Sequence, residues 1–267
     1  MTYIQAIIIA IVEGLTEFLP VSSTGHMIIA TSLMDISTLD FTKLFTVVIQ
    51  FGAILAVVAY YWKRFINFKD IGFYLKLFIG FVPIVVFGLL FKKKVDFLLE
   101  RVDVVGWSLL LGGIFLLFVD RIFKKATVTS QEKITWADAL IVGLFQCIAM
   151  VPGVSRSAAT IVGGLSRKFS RSVAAEFSFF LAVPTMFAAT VKDLYDFYKG
   201  GLSLSSNEIQ FLALGNFIAF VVALLVLKYA MKLVVRYGFR FFGYYRIAAG
   251  IAILVLLQMG VALHLVK

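Results

Sequence analysis

Apolar residues run along this chain in six stretches, at 43–62, 72–91, 105–123, 172–192, 209–230 and 244–264. Each is close to the ~20 residues that a helix needs to cross a bilayer, so each predicts a full span. Two further apolar segments, 5–34 and 136–165, behave differently. Each is broken near its middle, by Pro20 or by Pro152-Gly153, beside a serine-rich turn. Proline removes a backbone donor and disfavours helix in the residue before it. The halves of these segments are too short to cross, so the pattern predicts two re-entrant helical hairpins. Irregular backbone persists at membrane depth only inside protein or beside a watery cavity.

The polar interruptions recur. Glu13 falls opposite Gln146, and Ser22-Ser23-Thr24 opposite Ser155-Arg156-Ser157, at a constant offset of 133 in a chain of 267 residues. Gln50-Phe51 matches Glu176-Phe177, Gly80 matches Gly215, and Gly106 and Gly113 match Gly243 and Gly250 in the same order. The chain therefore reads as one membrane domain, 1–267, built from two copies at about 1–123 and 134–267. If each hairpin returns to its own side, three spans per copy invert one copy relative to the other. The expected fold is an all-α polytopic membrane protein: an inverted-topology repeat of six transmembrane helices plus two re-entrant helical hairpins. In such repeats the working site lies where the halves meet.

Composition sharpens the class. Hydrophobic residues make up 61% and charged residues 15% of the chain, against about 45–50% and about 25% in soluble domains. The N-terminus lacks the basic start of a cleavable signal, and Glu13 and Glu17 interrupt its apolar run. The lone Cys147 excludes an internal disulfide. In the inverted topology one side collects sixteen basic residues, Arg246 among them, against four acidic ones, while the other side is balanced. Positive loops stay in the cytoplasm, so both termini and the mouth of the first hairpin are expected outside it. The net charge of +10 is then an orientation signal. A nucleic-acid partner is not expected, because the basic residues are scattered over short membrane-edge loops.

Glu13 and Glu17 share a helix face. Two carboxylates so close in a low dielectric repel unless a proton or a cation sits beside them. A solvated face would be the ordinary explanation of such a pair, but its surroundings are apolar. Arg156 is the one basic residue this reading places at membrane depth, and the repeat axis brings it to the first turn. Ser22, Ser23 and Thr24 open one half-helix, and Ser155, Arg156 and Ser157 open its counterpart. One such serine alone would read as a simple cap. Two facing helix starts with an arginine form an anion site. His26, three residues past Ser23, adds a group that exchanges a proton near neutrality. Hydroxyl, carboxylates, arginine, backbone amides and imidazole are together the parts of a phosphoryl-transfer site. A site inside the bilayer calls for a lipid-linked phosphate.

The stretches Glu13-Gly-Leu-Thr-Glu17-Phe-Leu-Pro-Val-Ser-Ser-Thr-Gly-His26 and Pro152-Gly-Val-Ser-Arg156-Ser157 closely resemble the two signature motifs of the undecaprenyl-diphosphatase family, the bacitracin-resistance proteins. The resemblance spans nearly the whole chain and takes in the segment from Glu176 to Pro184. It implies hydrolysis of undecaprenyl diphosphate to undecaprenyl phosphate and inorganic phosphate, which recycles the carrier lipid of peptidoglycan synthesis. It also implies an extracytoplasmic active site in the bacterial inner membrane.

The expected catalytic set is Glu17, Ser23, His26 and Arg156. Glu13, Ser22, Thr24, Gln146, Ser155 and Ser157 are expected to bind substrate. No tightly bound cofactor is expected; a divalent cation, Mg or Ca, is an option at Glu13 and Glu17. Ser23, His26 and a metal-held water all remain open as the nucleophile. Gln50 and Glu176 are expected to form hydrogen bonds near the hairpins, and His264 has no role. Inverted halves with facing broken helices also describe carriers, so a polyprenyl-phosphate flippase is the alternative. Gly112-Gly113 and Gly163-Gly164 permit close helix packing within one chain or in a homodimer.

Overall fold

The computed structural model describes every residue except Glu100, Leu202, Ala262 and 264–267, and every side chain among them except those of Asp96, Ala230, Met231 and Val235. His264 lies outside the described residues. Among the described residues twelve α-helices follow in order: α1 (Tyr3–Thr16), α2 (Ser23–Leu33), α3 (Asp40–Tyr60), α4 (Trp62–Phe65), α5 (Ile71–Leu90), α6 (Lys92–Leu98), α7 (Val102–Ile122), α8 (Trp136–Ile148), α9 (Arg156–Ser166), α10 (Arg171–Lys199), α11 (Ser206–Tyr237) and α12 (Arg240–Gln258). Among the described residues there is no strand, only an isolated bridge between Val128 and Phe169.

Six helices, α3, α5, α7, α10, α11 and α12, are long and apolar enough to cross a membrane. The protein is a multi-pass membrane protein. α10 and α11 run to 29 and 32 residues, beyond the expected apolar stretches. Ser170 caps the first, and a Ser205–Glu208 capping box starts the second, so their polar end turns stay helical outside the apolar part. In the apolar 18-residue stretches of α3 and α10, 61% of the residues are buried, against 22% in those of α5 and α11, so α3 and α10 form the centre. The outer helices show side chains such as Phe78, Leu89 and Phe217 to the surroundings.

Glycines reveal how the copies relate. α7 and α12 pack together. A Cβ on Gly113 would lie 2.8 Å from the Gly243 carbonyl, and one on Gly250 2.8 Å from the Gly106 carbonyl. In the repeat Gly106 corresponds to Gly243 and Gly113 to Gly250, so each copy's first glycine meets the other's second. That crossed pairing makes the helices antiparallel, as a two-fold axis across them requires. α1 likewise packs on α11 and α8 on α5, so each leading hairpin helix seats on a span of the other copy. The small-residue pairs are used inside this one chain: Gly112 abuts the Arg246 guanidinium, Gly163 abuts Phe145, and Gly164 abuts Phe169 and Ala174.

The two broken segments form helix–turn–helix pairs with matched ends. Thr2 and Gln5 make a capping box that starts α1, and Thr135 and Asp138 make one that starts α8. Both pairs close with the same turn. Asp35 and Lys168 take positive φ, while Ile36 N–H bonds the Thr31 carbonyl and Phe169 N–H the Gly164 carbonyl, the double-bonded helix stop of a Schellman motif. At the open end Gln5 donates to the Met34 carbonyl at 3.2 Å, and Arg167 pairs with Asp138 at 2.7 Å. Each second helix thus returns to the level where its first began.

Contacts also sort the connections onto faces. Arg64 pairs with Glu132, Val128 bridges to Phe169, and Asp120 binds both Arg171 and the Phe239 amide. The turns after α3, α7, α9 and α11 therefore share one face. On the other, Tyr3 bonds Gln210 and stacks edge-on against Phe211. One charged residue departs from expectation. Arg246, expected in a basic loop, is 1% exposed inside the protein, because four backbone carbonyls solvate it there. Glu176 accepts from Gln131 at 3.2 Å, in the connection that leads into hairpin two.

Candidate active site

Both hairpin turns end on a strained serine. Ser22 has φ 71° and Ser155 φ 72°, a left-handed region that costs a non-glycine residue of order 1–3 kcal/mol. The same strain at both copies keeps Ser22–Thr24 and Ser155–Ser157 at the first turns of α2 and α9, where backbone N–H groups lack helical partners. The turns meet. Ser157 Oγ donates to the Phe18 carbonyl at 2.9 Å, and the Arg156 guanidinium lies 5.9 Å from the Phe18 ring centre.

Arg156 joins the hairpins chemically. Its Nη2 pairs with Glu17 Oε1 at 3.0 Å, and its Nη1 donates to the Ser178 carbonyl at 2.9 Å. The other oxygen of Glu17 accepts from Ser23 Oγ at 2.7 Å. Thr160 bonds both the Arg156 carbonyl and the Ser178 hydroxyl, at 2.8 and 2.6 Å, and so braces the arginine from behind. A buried ion pair costs desolvation unless its geometry and remaining hydrogen bonds are good; here α10 supplies those bonds.

These groups wall a cavity of about 220 Å³ lined by Glu17, Ser22, Ser23, Thr24, Gln146, Ser155 and Arg156, with Gln50 from α3 and Thr185 from α10. Ser22 Oγ, Gln146 Nε2 and Arg156 Nε, on three of these lining residues, are buried without a protein partner. Buried polar atoms are nearly always bonded, so three such atoms on residues that line one cavity fit a site for a polar ligand. Glu13, 1% exposed, lies against Glu17 with its Oε1 unpartnered. The described residues contain no cluster of three or more His, Cys, Asp or Glu side chains that could hold a metal.

Besides Glu13, which adjoins Glu17 without lining the cavity, two of the expected site residues sit elsewhere. Ser157 is fully buried and spends its hydroxyl between the hairpins. His26 faces a neighbouring groove of about 600 Å³ whose walls are almost wholly apolar, including Val12, Leu15, Leu19, Val222, Leu225 and Phe241. His26 Nδ1–H donates to the Ser22 carbonyl at 2.7 Å, and its Nε2 meets the Tyr245 hydroxyl at 2.5 Å. A carbonyl only accepts, so the proton sits on Nδ1.

Arg246 is the group that pattern reading misses. It donates to the carbonyls of Pro20, Gly153, Val154 and Ser108 at 3.3, 2.9, 3.0 and 3.1 Å, which ties both turns to α7. Its repeat counterpart is Leu109. An unmatched arginine in an apolar helix was the available signal. Ser178 and Thr160 carried a weaker one, as hydroxyls within apolar runs.

The chain is similar to a known family over nearly its whole length. The family model described as bacitracin resistance protein BacA matches residues 6–252. A protein of Flavobacterium psychrophilum named undecaprenyl-diphosphatase is 59% identical over 96% of both chains. Proteins of the same name from Bdellovibrio bacteriovorus and Porphyromonas gingivalis are 51% and 50% identical, over 100% of both chains and over 98% of this chain and 99% of the relative. The motifs, the inverted packing and the match over nearly its whole length place the chain in the bacitracin resistance protein BacA family.

Proposed function

We infer that the protein is an integral membrane hydrolase that converts undecaprenyl diphosphate and water into undecaprenyl phosphate and inorganic phosphate. It thereby recycles the carrier lipid of cell-wall synthesis and confers bacitracin resistance. The observation that carries this reading is the cavity in which Ser23, Glu17 and Arg156 are already bonded while Ser22, Gln146 and Arg156 Nε hold unpartnered polar atoms.

The terminal phosphate sits in that cavity, on the amides of α2 and α9 and the Nε–H of Arg156. Ser23 Oγ attacks the terminal phosphorus and its proton passes to Glu17 Oε2. A serine O–P bond forms, the anhydride P–O bond breaks, and undecaprenyl phosphate leaves. Water then cleaves the phosphoserine, releasing inorganic phosphate and restoring Ser23. Fixed donors that meet the charge developing on the phosphoryl oxygens supply most of the acceleration. The prenyl chain lies in the apolar groove whose wall includes His26. Glu13 and Glu17 would hold a Mg or Ca ion through their carboxylate oxygens, and the ion would neutralise diphosphate charge there.

The helices α1 and α2 are 14 and 11 residues long, about 21 and 17 Å, short of the ~30 Å hydrocarbon core. With the closed mouths of both hairpins, this supports re-entrant segments meeting inside the bilayer. Fifteen basic residues remain on the face shared by the turns after α3, α7, α9 and α11 once Arg246 is set aside, which supports a cytoplasmic placement of that face. The hairpin-one mouth and the site then open on the extracytoplasmic side of the bacterial inner membrane.

The test is phosphate release from undecaprenyl diphosphate by purified protein in detergent, with and without a chelator. The wild type releases phosphate, and Ser23→Ala loses at least about 100-fold in kcat. A Ser23→Ala enzyme that keeps most of its kcat overturns the serine as nucleophile; a silent wild type overturns the hydrolase. Loss of rate with chelator, restored by Mg or Ca, supports the cation.

A further inference from the structure

The His26–Tyr245 contact lies outside the cavity that holds Ser23, and its placement is informative. Tyr245 is 44% exposed in the apolar groove, so core packing does not account for it. Its ring lies parallel to the imidazole, 3° apart in tilt with centres 5.5 Å apart. Its hydroxyl covers Nε2, the one nitrogen of His26 that the Ser22 carbonyl leaves basic.

The repeat provides an internal control. A second apolar groove of about 380 Å³ flanks hairpin two, lined by Phe145, Ile148, Val154, Ala159 and Ser108. These are the repeat counterparts of Val12, Leu15, Val21, His26 and Tyr245 in the first groove. The apolar walls are kept in kind, whereas the imidazole and the phenol become a methyl and a small hydroxyl. The pair is thus confined to the hairpin that carries Glu17 and Ser23.

We propose that Tyr245 is a positioning residue that acts through His26, holding the imidazole with its proton on Nδ1 and its basic Nε2 turned into the apolar groove that takes the lipid. This rests on the hydrolase reading for its purpose, but not for its geometry. Tyr245 from α12 and Ser22 from the turn grip opposite nitrogens of one ring, so the ring cannot flip without losing a bond. Arg246 and Tyr229 are the other charged or titratable groups beside it, and neither bonds it.

The experiment has two arms on the full chain in detergent. In the first, diethyl pyrocarbonate labelling of His26 is followed by mass spectrometry; the chain has only two histidines, so the site is read directly. Tyr245→Phe labels at least about threefold faster than wild type, because its hydroxyl no longer covers Nε2, while Tyr229→Phe in the same groove labels as wild type. In the second arm, Tyr245→Phe lowers kcat about 10-fold with a smaller change in KM, and in a His26→Ala background it changes kcat by less than about twofold, the non-additivity expected of groups that act as a unit. Equal labelling of wild type and Tyr245→Phe, or equal losses with and without His26, overturns the proposal. A wild type that releases no phosphate defeats the hydrolase reading instead, and the labelling arm alone then decides the positioning.

Discussion

The two hairpins share a frame and differ in their chemistry. Capping boxes, open-end bonds, strained serines and closing turns all recur at the 133-residue offset. Inside that frame hairpin one carries Glu13, Glu17, Ser23 and His26 where hairpin two carries Gln146, Met150, Arg156 and Ala159. Ser155 spends its hydroxyl capping α9 through the Ala158 amide at 3.2 Å, whereas Ser22 makes no such cap and keeps its hydroxyl unpartnered. On the mechanism proposed above, one copy is the reactive half and the other, through Arg156, the half that holds the phosphate charge. Neither suffices alone, because the Glu17–Arg156 pair and the Ser157–Phe18 bond both cross between them.

Breaking the charge-holding half has the largest expected effect. Arg156→Ala removes a donor to phosphate and leaves Glu17 buried without its cation, so kcat/KM for phosphate release falls by about 10²–10³-fold or more. Arg156→Lys recovers little, since an ammonium lacks the planar fork that reaches Glu17 and Ser178 together. Near-wild-type rates in the lysine variant would show that charge alone matters.

Removing the tie between the turns comes next. Arg246→Met removes the donor that four backbone carbonyls share, two of them in buried bonds, and lowers stability by about 2–3 kcal/mol, read as a drop in Tm in detergent together with lost activity. An unchanged Tm would mean the turns hold their places without it.

A smaller effect separates the outer packing of the two hairpins. Hairpin two has Gly143 where hairpin one has Ala10, and a Cβ at Gly143 would collide with the Gly80 backbone. Gly143→Ala is expected to cost about 1–3 kcal/mol by overpacking α8 on α5. If Tm holds, the two seats are equivalent. The smallest effect lies at the open ends. Asp138→Asn keeps the cap geometry but loses the pair with Arg167, whose side chain is 41% exposed. The cost is under about 1 kcal/mol and shrinks in high salt; a larger, salt-independent loss would make that end a fixed joint rather than a surface staple.

Much of this was legible in the order of residues. Six apolar stretches of bilayer length correspond to the six long helices, because hydrocarbon demands a continuous apolar run whatever the packing around it. The meeting of Glu17, Ser23 and Arg156 was legible because polar groups are costly at depth and stand out in an apolar background. Arg246 was misplaced for a related reason: near the end of a span an arginine looks like a loop charge until the carbonyls that solvate it are known. Gln50 lines the cavity, whereas its repeat partner Glu176 accepts from Gln131 in the connection before hairpin two, a partner whose position no pattern specifies.

What the sequence by itself determined is the class of the fold, the duplication and the chemical inventory of the site, since these follow from local hydropathy and from residues repeated at one spacing. What only the tertiary structure decided is which of those groups face one another. His26 stands one helical turn from Ser23 in the chain, yet it turns to Tyr245 in a different cavity. Ser157 closes the seam between hairpins instead of facing ligand. Tyr245 and Arg246, neighbours in the chain, serve the groove and the turns respectively. Side-chain direction depends on helix rotation and on contacts from the far end of the chain. Those are set by packing the two inverted copies against each other.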